Sequence, residues 1–260
     1  MLDWSTAAFI GMLQGILEWF PVSSSGQTTI VMVDFLAIDV GLAITLGLAV
    51  HIGTGLAVIA RYPRQLLEMR KNKTSSRFYW TTTATSLAVA LPLVFILEET
   101  FENEVWTGLS ITLFIGIVLV ITGLILRGAR TKAFRPISGG ALPDHVLLGV
   151  VQAFAVLPGV SRSGMTVGTL LIRGFEKRQA LVFSFLLAVP VSIAASAYFL
   201  VFGEVASIGL GLFFIAAFFA FVFGYLTMGG LVRLARDIDF SKFCIFFGGL
   251  AVIIPILLWI

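Results

Sequence analysis

The chain has 260 residues, 58% of them hydrophobic and 12% charged, about half the charged share of a soluble domain. That composition, with apolar runs recurring from end to end, excludes a soluble globular protein and predicts an all-α, multi-spanning membrane protein. The formal net charge of +3 gathers in a few loops and reads as topology rather than as a mark of nucleic acid, and the lone Cys244 excludes an intramolecular disulfide.

No basic segment precedes the first apolar stretch, so no cleavable signal peptide is expected. Residues 6–20 and 27–38 form apolar arms around a Pro21–Gly26 turn. Full-length spans follow at roughly 40–61, 78–97 and 106–126, each long enough for a hydrocarbon core of ~30 Å. Residues 145–157 and 165–173 then flank a second turn, Pro158–Gly164, before spans at roughly 179–202, 208–232 and 243–260. The four short arms are too short to span and predict two re-entrant helix-turn-helix hairpins. Broken backbone at membrane depth survives only where protein buries it or it lines a cavity, so the hairpins are expected to meet. Pro92 and Pro190 are read as kinks, and the many glycines as close helix packing.

The two hairpins repeat one another. Gly11, Gln14, Val22, Ser23, Ser25, Gly26 and Thr28 recur as Gly149, Gln152, Val160, Ser161, Ser163, Gly164 and Thr166, at a constant offset of 138 residues. The 17 Lys and Arg residues fall into four segments, apart from Arg162. They are 61–77, 127–135 (with Arg130 and Lys132), 173–178 and 233–242 (with Arg233 and Arg236). The positive-inside rule makes these cytoplasmic. Glu98, Glu99, Glu102, Glu104 and the loop around Glu204 then lie outside. The first hairpin enters and leaves from the outer face, the second from the cytoplasm, and both termini are external. The halves, about 1–135 and 139–260, therefore form an inverted-topology repeat within one intertwined domain at the cell membrane, with a site expected near the midplane.

Two ionisable residues stand out there. Glu18 lies well inside an apolar run, and Arg162 is the one cation outside the basic segments; such groups cost at least ~2.5–3.5 kcal/mol on insertion scales. They could form a structural ion pair between hairpins. The reading favoured is a shared polar pocket in which Arg162 clamps an anion, because a guanidinium presents a planar fork to phosphate oxygens. Ser23, Ser24 and Ser25 at one turn, and Ser161 and Ser163 beside Arg162, could cap helices. Five hydroxyls at matched positions around one arginine favour a phosphate site. Gln14 and Glu18, four apart, share a helix face, where a carboxylate base could sit beside an orienting amide. Gln152 suits either that role or an inter-hairpin hydrogen bond. His51, inside the first full span, reads as a satisfied packing residue, and His145 as interfacial.

At these residues the chain resembles the undecaprenyl-diphosphate phosphatase family of integral-membrane lipid phosphatases, tied to bacitracin resistance. Two motifs carry the resemblance: Gln14-x-x-x-Glu18 followed by Pro21-Val-Ser-Ser-Ser-Gly26, and Pro158-Gly-Val-Ser-Arg-Ser-Gly-Met-Thr166. Phe183-Ser-Phe-Leu-Leu-Ala-Val-Pro190 extends it. It implies hydrolysis of the terminal phosphate of a C55-type isoprenyl diphosphate, giving the monophosphate carrier lipid. By position, Glu18 is the catalytic carboxylate, Arg162 binds the diphosphate, and Ser161 and Ser163 support it. Ser24 is a hydroxyl nucleophile or phosphate ligand. Gln14, Ser23, Ser25, Gly26, Gln27 and Thr166 complete the expected substrate-binding set. A divalent cation, Mg or Ca, is implied with Glu18 as its candidate ligand, and a homodimer is an open option. Two positions depart from the pattern. The family admits Gln as well as Glu at position 14. It usually has His where this chain has Gln27, and an amide cannot act as nucleophile or base at neutral pH.

Two competing readings remain. Facing broken hairpins are also a transport architecture, so the chain could move a polyprenyl phosphate without cleaving anything. A channel or purely structural role would account for neither the serines nor the single arginine.

Overall fold

A computed structural model describes residues 3–101, 106–128, 134–202, 209–237 and 239–259, with backbone only for Phe199, 231–237 and 258–259. Glu102, Glu104, Arg130, Lys132 and Glu204, and the side chains of Arg233 and Arg236, used above to assign topology, lie outside the described parts. Helix α1 (Trp4–Leu17) starts where the Asp3 carboxylate accepts from the Thr6 N–H at 2.7 Å, an N-cap that satisfies an otherwise orphan donor. It stops before Pro21, whose ring disfavours helix in the residue ahead of it. The chain reverses through Ser23, held at a left-handed φ of 57°, and α2 (Ser24–Ile30) begins at once, continuing as a π-helical turn, Val31–Phe35.

The second hairpin follows the same plan. Helix α8 (Leu142–Ala153) and a 3-10 turn, Phe154–Val156, lead through Gly159 (φ +97°) into α9 (Arg162–Ile172). In both hairpins the returning helix begins earlier than the sequence predicted. The hydroxyls of Ser23 and Ser161 accept from the Gly26 and Gly164 N–H groups at 3.3 and 3.2 Å, so the serine turn itself is the helix start.

Between the hairpins run α3 (Val40–Ala49), α4 (His51–Arg61), α5 (Pro63–Lys71), α6 (Lys73–Phe101) and α7 (Gly108–Leu126). After the second hairpin come α10 (Lys177–Phe202), α11 (Leu210–Asp237) and α12 (Phe240–Trp259). Six stretches among the described residues are long and apolar enough to cross a membrane: Val40–Arg61, Lys73–Phe101, Gly108–Leu126, Lys177–Phe202, Leu210–Gly230 and Phe240–Leu257. The chain is a multi-pass membrane protein. Trp4–Leu17 and Leu142–Val156 are apolar but shorter.

Three features depart from the sequence reading. The first span is interrupted at Val50, between α3 and α4, where the Ala49 carbonyl accepts from Ser196 Oγ at 2.6 Å; a side chain from α10 takes up a carbonyl at the break. The segment 61–77, read as a loop, contains α5, opened by Pro63 at a position where its missing N–H costs nothing; Leu66 and Met69 pack against the core. His145, expected at an interface, is buried and stacks on the Phe78 ring with centroids 4.2 Å apart. Helices α6 and α10 run through Pro92 and Pro190.

Helix α1 packs on α11, α8 on α6, α7 on α12, and α4 on both α10 and α11. These contacts are close because small residues lie in them. A Cβ on Gly11 would lie 2.1 Å from the Ala216 carbonyl oxygen, and one on Gly149 would lie 2.7 Å from that of Thr82. Gly116 and Gly248 face each other in the same way.

At the start of α8 the buried Asp144 carboxylate accepts from Arg135 at 2.7 Å, Arg173 at 2.6 Å and the Ala141 N–H at 2.9 Å. Burial works against its ionisation, but these donors outweigh it and hold the carboxyl below the usual carboxylate range. A depressed folded pKa contributes stability that is present above the unfolded value and lost as pH falls through the folded one. Both arginines are partly exposed, which discounts the pairs. Asp144→Asn is therefore expected to cost about 1–3 kcal/mol at pH 7. Thermal unfolding in detergent should show the parent, but not the variant, losing that increment below about pH 4.

Candidate active site

The two hairpin turns touch. The Gly159 N–H donates to Ser23 Oγ at 3.1 Å, and Ser163 Oγ donates to the Phe20 carbonyl at 3.2 Å. This brings Glu18, the residue that ends α1, against Arg162, the residue that opens α9. One guanidinium nitrogen of Arg162 pairs with Glu18 Oε1, and another donates to the Ser184 carbonyl of α10 at 3.2 Å. Two of the five guanidinium donors are so engaged.

The other carboxylate oxygen is just as crowded. Glu18 Oε2 accepts from Gln14 Nε2 at 2.8 Å and Ser24 Oγ at 2.8 Å, with His51 Nε2 at 3.2 Å. Gln14 is where the shared helix face predicted, one turn before Glu18, and its Nε2 also lies 3.2 Å from Ser24 Oγ. His51 Nδ1 lies 2.7 Å from the Gly47 carbonyl. A carbonyl only accepts, so Nδ1 donates to it, and Nε2 is turned to the carboxylate. Sequence reasoning discounted His51 as packing. The signal was the one that picked out Glu18, an ionisable side chain inside an apolar run.

These groups close one end of a cavity of about 320 Å³. Glu18, Ser24, Ser25, His51, Arg162 and Ser163 line its polar end, with Ser23 and Ser161 beside them; Ser86 and Ser192, also on its wall, were not singled out beforehand, and Gln152, whose role the sequence left open, lies there too. Apolar side chains of α3, α6 and α10, among them Leu42, Leu91, Val94 and Leu97, form the rest of the wall. The cavity runs toward the ends where α6 and α10 finish and α3 begins. There Tyr198 donates to Glu98 Oε2 at 2.5 Å.

Not every expected residue lies on the wall. Gly26 packs between the turns, where a Cβ would meet Ile115 at 2.9 Å and the Gly159 nitrogen at 3.0 Å. The Thr166 hydroxyl bonds the Arg162 carbonyl at 2.8 Å and Ser184 Oγ at 2.6 Å, buttressing the arginine from behind. Gln27 turns away, its Nε2 donating to the Val22 carbonyl at 3.3 Å. Gln152 bonds Ser86 of α6 at 3.2 Å. Ser23 and Ser161 cap helices and line the cavity together.

The donor set does not suit a resident divalent cation. Among the described residues Glu18 is the one carboxylate at the polar end, and both its oxygens already face donors. Hard cations take several oxygen ligands, and no group of three or more His, Cys, Asp or Glu side chains converges among the described residues.

Fold and site together define a polytopic membrane protein with a buried ionic, hydroxyl-rich pocket where two broken helical hairpins meet. The chain belongs to the BacA family: the family model described as bacitracin resistance protein BacA matches residues 7–253. Relatives are similar over nearly their whole length. The undecaprenyl-diphosphatase of Methanothrix thermoacetophila is 38% identical over 95% of both chains. That of Methanococcoides burtonii is 34% identical over 97% of this chain and 98% of its own. Undecaprenyl-diphosphatase 1 of Corynebacterium jeikeium is 29% identical over 93% and 90%.

Proposed function

We propose that the chain is an undecaprenyl-diphosphatase, a hydrolase that removes the terminal phosphate of a polyprenyl diphosphate and returns the monophosphate carrier lipid. The family and its full-length relatives support this. The observation that carries it in the molecule is the Ser24–Glu18–Arg162 constellation at the closed end of a cavity with an apolar wall. A lipid diphosphate has that polarity. Its head group meets the polar end, and its tail leaves along α3, α6 and α10.

Ser24 Oγ already donates to Glu18, so attack on the terminal phosphorus passes its proton to the carboxylate. The bridging P–O bond breaks with its electron pair on the lipid monophosphate, and water then hydrolyses the phosphoserine. The free donors of Arg162 take the phosphoryl oxygens in a site shielded from bulk water, where such charge stabilisation counts most. His51, anchored on Gly47, holds Glu18 toward Ser24.

The inverted repeat, as one intertwined domain, belongs to the same reading. Its support is the matched packing of α1 on α11 and α8 on α6, with Gly11 and Gly149 at equivalent contacts. The basic ends of the spans are cytoplasmic by the positive-inside rule. Both termini, the first hairpin and the cavity mouth then face outward.

Phosphate release from a C15 isoprenyl diphosphate by the detergent-solubilised chain tests the proposal. Ser24→Ala is expected to lower kcat by about 10²-fold or more, and His51→Ala to lower it with a smaller change in KM. Gln27→Ala should behave like the parent. No release from folded protein, with lipid phosphate flux into sealed vesicles instead, would replace hydrolysis by transport.

A further inference from the structure

The wall that α3, α6 and α10 give the catalytic cavity carries three hydroxyls that the reaction above does not use: Thr45 of α3, Ser86 of α6 and Ser192 of α10. Thr45 and Ser192 have no hydrogen-bond partner among the described residues. Their oxygens are not sealed in protein as those of the unpartnered Thr29 and Thr83 are, so both open on the cavity, although Ser192 is only 4% exposed. Ser86 Oγ accepts from Gln152 Nε2 at 3.2 Å, which leaves its own proton to donate. Buried hydroxyls are as a rule paired, and helical serine and threonine usually turn back on the preceding carbonyls. Three that face one cavity with donors to spare are placed for something inside it.

Their depth says what that is. Thr45 lies six residues along α3 from Asp39 at the mouth, and Ser192 six residues along α10 from Tyr198, also at the mouth. Each is therefore about 9 Å inside, measured along its helix. The inner limit is His51. Ser196 Oγ donates to the Ala49 carbonyl, two residues before His51, at 2.6 Å. Ser192 Oγ is 3.2 Å from where a Cβ on Gly55, one turn after His51, would stand. Ser192 is thus level with His51, whose Nε2 is 3.2 Å from the Glu18 carboxylate. The hydroxyls mark the step between the catalytic end and the apolar path of the tail.

We infer that Thr45, Ser86 and Ser192 form a second phosphate subsite, which holds the lipid-bearing phosphate of the diphosphate while Ser24 and Arg162 act on the terminal one. The inference rests on the lipid-diphosphatase reading above. A diphosphate has charge on both phosphates, and charged oxygens laid against leucine and alanine side chains without donors would be costly. The spare donors of Arg162 are taken by the terminal phosphoryl group, so the second phosphate needs others, on the tail side. Hydroxyls supply them without adding a cation that would compete for the terminal group. When the bridging P–O bond breaks, its electron pair stays on the lipid-bearing phosphate, so donors at that phosphate strengthen as the bond breaks and favour the transition state.

Calorimetric titration of the full-length protein in detergent with three probes tests this: C15 isoprenyl monophosphate, C15 isoprenyl alcohol and inorganic phosphate. Thr45→Val/Ser192→Ala removes two hydroxyls that bond nothing in the protein and changes little volume, so the fold should hold; Ser192→Ala alone is the milder variant. The double variant is expected to bind the C15 monophosphate about tenfold more weakly or worse, with unchanged affinity for the alcohol and for inorganic phosphate. Thr45→Ser in the Ser192→Ala background, which restores one hydroxyl, should recover part of the loss. An undiminished affinity for the monophosphate overturns the inference, as does failure of the parent to bind it. An equal loss for the alcohol would make the effect one of tail packing, and an equal loss for inorganic phosphate would put the hydroxyls at the terminal phosphate; either overturns it too. Binding needs no turnover, so a parent that releases no phosphate would overturn hydrolysis while these titrations still decide the subsite.

Discussion

Arg162→Ala is expected to reduce phosphate release by more than about 10²-fold and to destabilise the protein in the same step. The two effects have separable causes. Activity falls because the guanidinium is the one Lys or Arg group among the described residues on the cavity wall, and neither Ser161 nor Ser163 can replace its charge. Stability falls because Glu18, 4% exposed, keeps its carboxylate while losing its cation. Breaking a buried pair from one side costs about 3–5 kcal/mol. The double variant Glu18→Gln/Arg162→Ala leaves no uncompensated carboxylate and should regain much of the stability while remaining inactive. Thermal unfolding and phosphate release on the four proteins of that cycle measure both quantities. Arg162→Lys should stay well below the parent, since an ammonium cannot bridge Glu18, the Ser184 carbonyl and a phosphate in one plane. If the double variant were no more stable than Arg162→Ala, the pair would not be the source of the loss.

Gly11→Ala should be among the most damaging single-methyl additions in the chain. The new Cβ would lie 2.1 Å from the Ala216 carbonyl oxygen and 2.9 Å from its Cα, both backbone atoms that no rotamer change can move. Helix α1 would have to separate from α11, a cost of about 1–3 kcal/mol or more by overpacking. Activity should fall with it, because α1 ends on Glu18. Gly149→Ala should do the same to α8 against α6, where a Cβ would lie 2.6 Å from Thr85 Cβ. Gly249→Ala meets nothing within 4 Å and removes a poor helix former, so it should gain up to about 1 kcal/mol. Thermal unfolding of the three variants in one detergent decides between close packing and general glycine loss. Equal melting temperatures would refute the packing argument.

The residues that the sequence made legible are those whose local chemistry is costly without a reason. Glu18 and Arg162 inside apolar surroundings need a partner or a wet cavity, and they are partners on a cavity. The serine turns were legible as paired breaks, yet their double use was not. Ser23 and Ser161 cap helices and line the wall, so the capping and ligand readings are not alternatives. Gly26, Thr166 and Gln27 belong to the same motifs but lie off the wall, because the start of a helix points successive side chains in different directions. His51 was visible and set aside, since nothing local ties a histidine in one span to a carboxylate thirty-three residues earlier.

By itself the sequence determined the membrane class, the number of spans and the existence of two matched broken segments. Those properties depend on hydropathy, length and the position of Pro, Gly and Ser, which act within one or two helical turns. Only the tertiary structure decided that His51 and Ser24 share one carboxylate oxygen, that α4 is set off from α3 by a carbonyl bonded to Ser196, and that His145 is buried against Phe78. Each of these is a contact between helices distant in sequence. Small residues such as Gly11 and Gly149 set how closely those helices approach, and that approach determines which side chains meet.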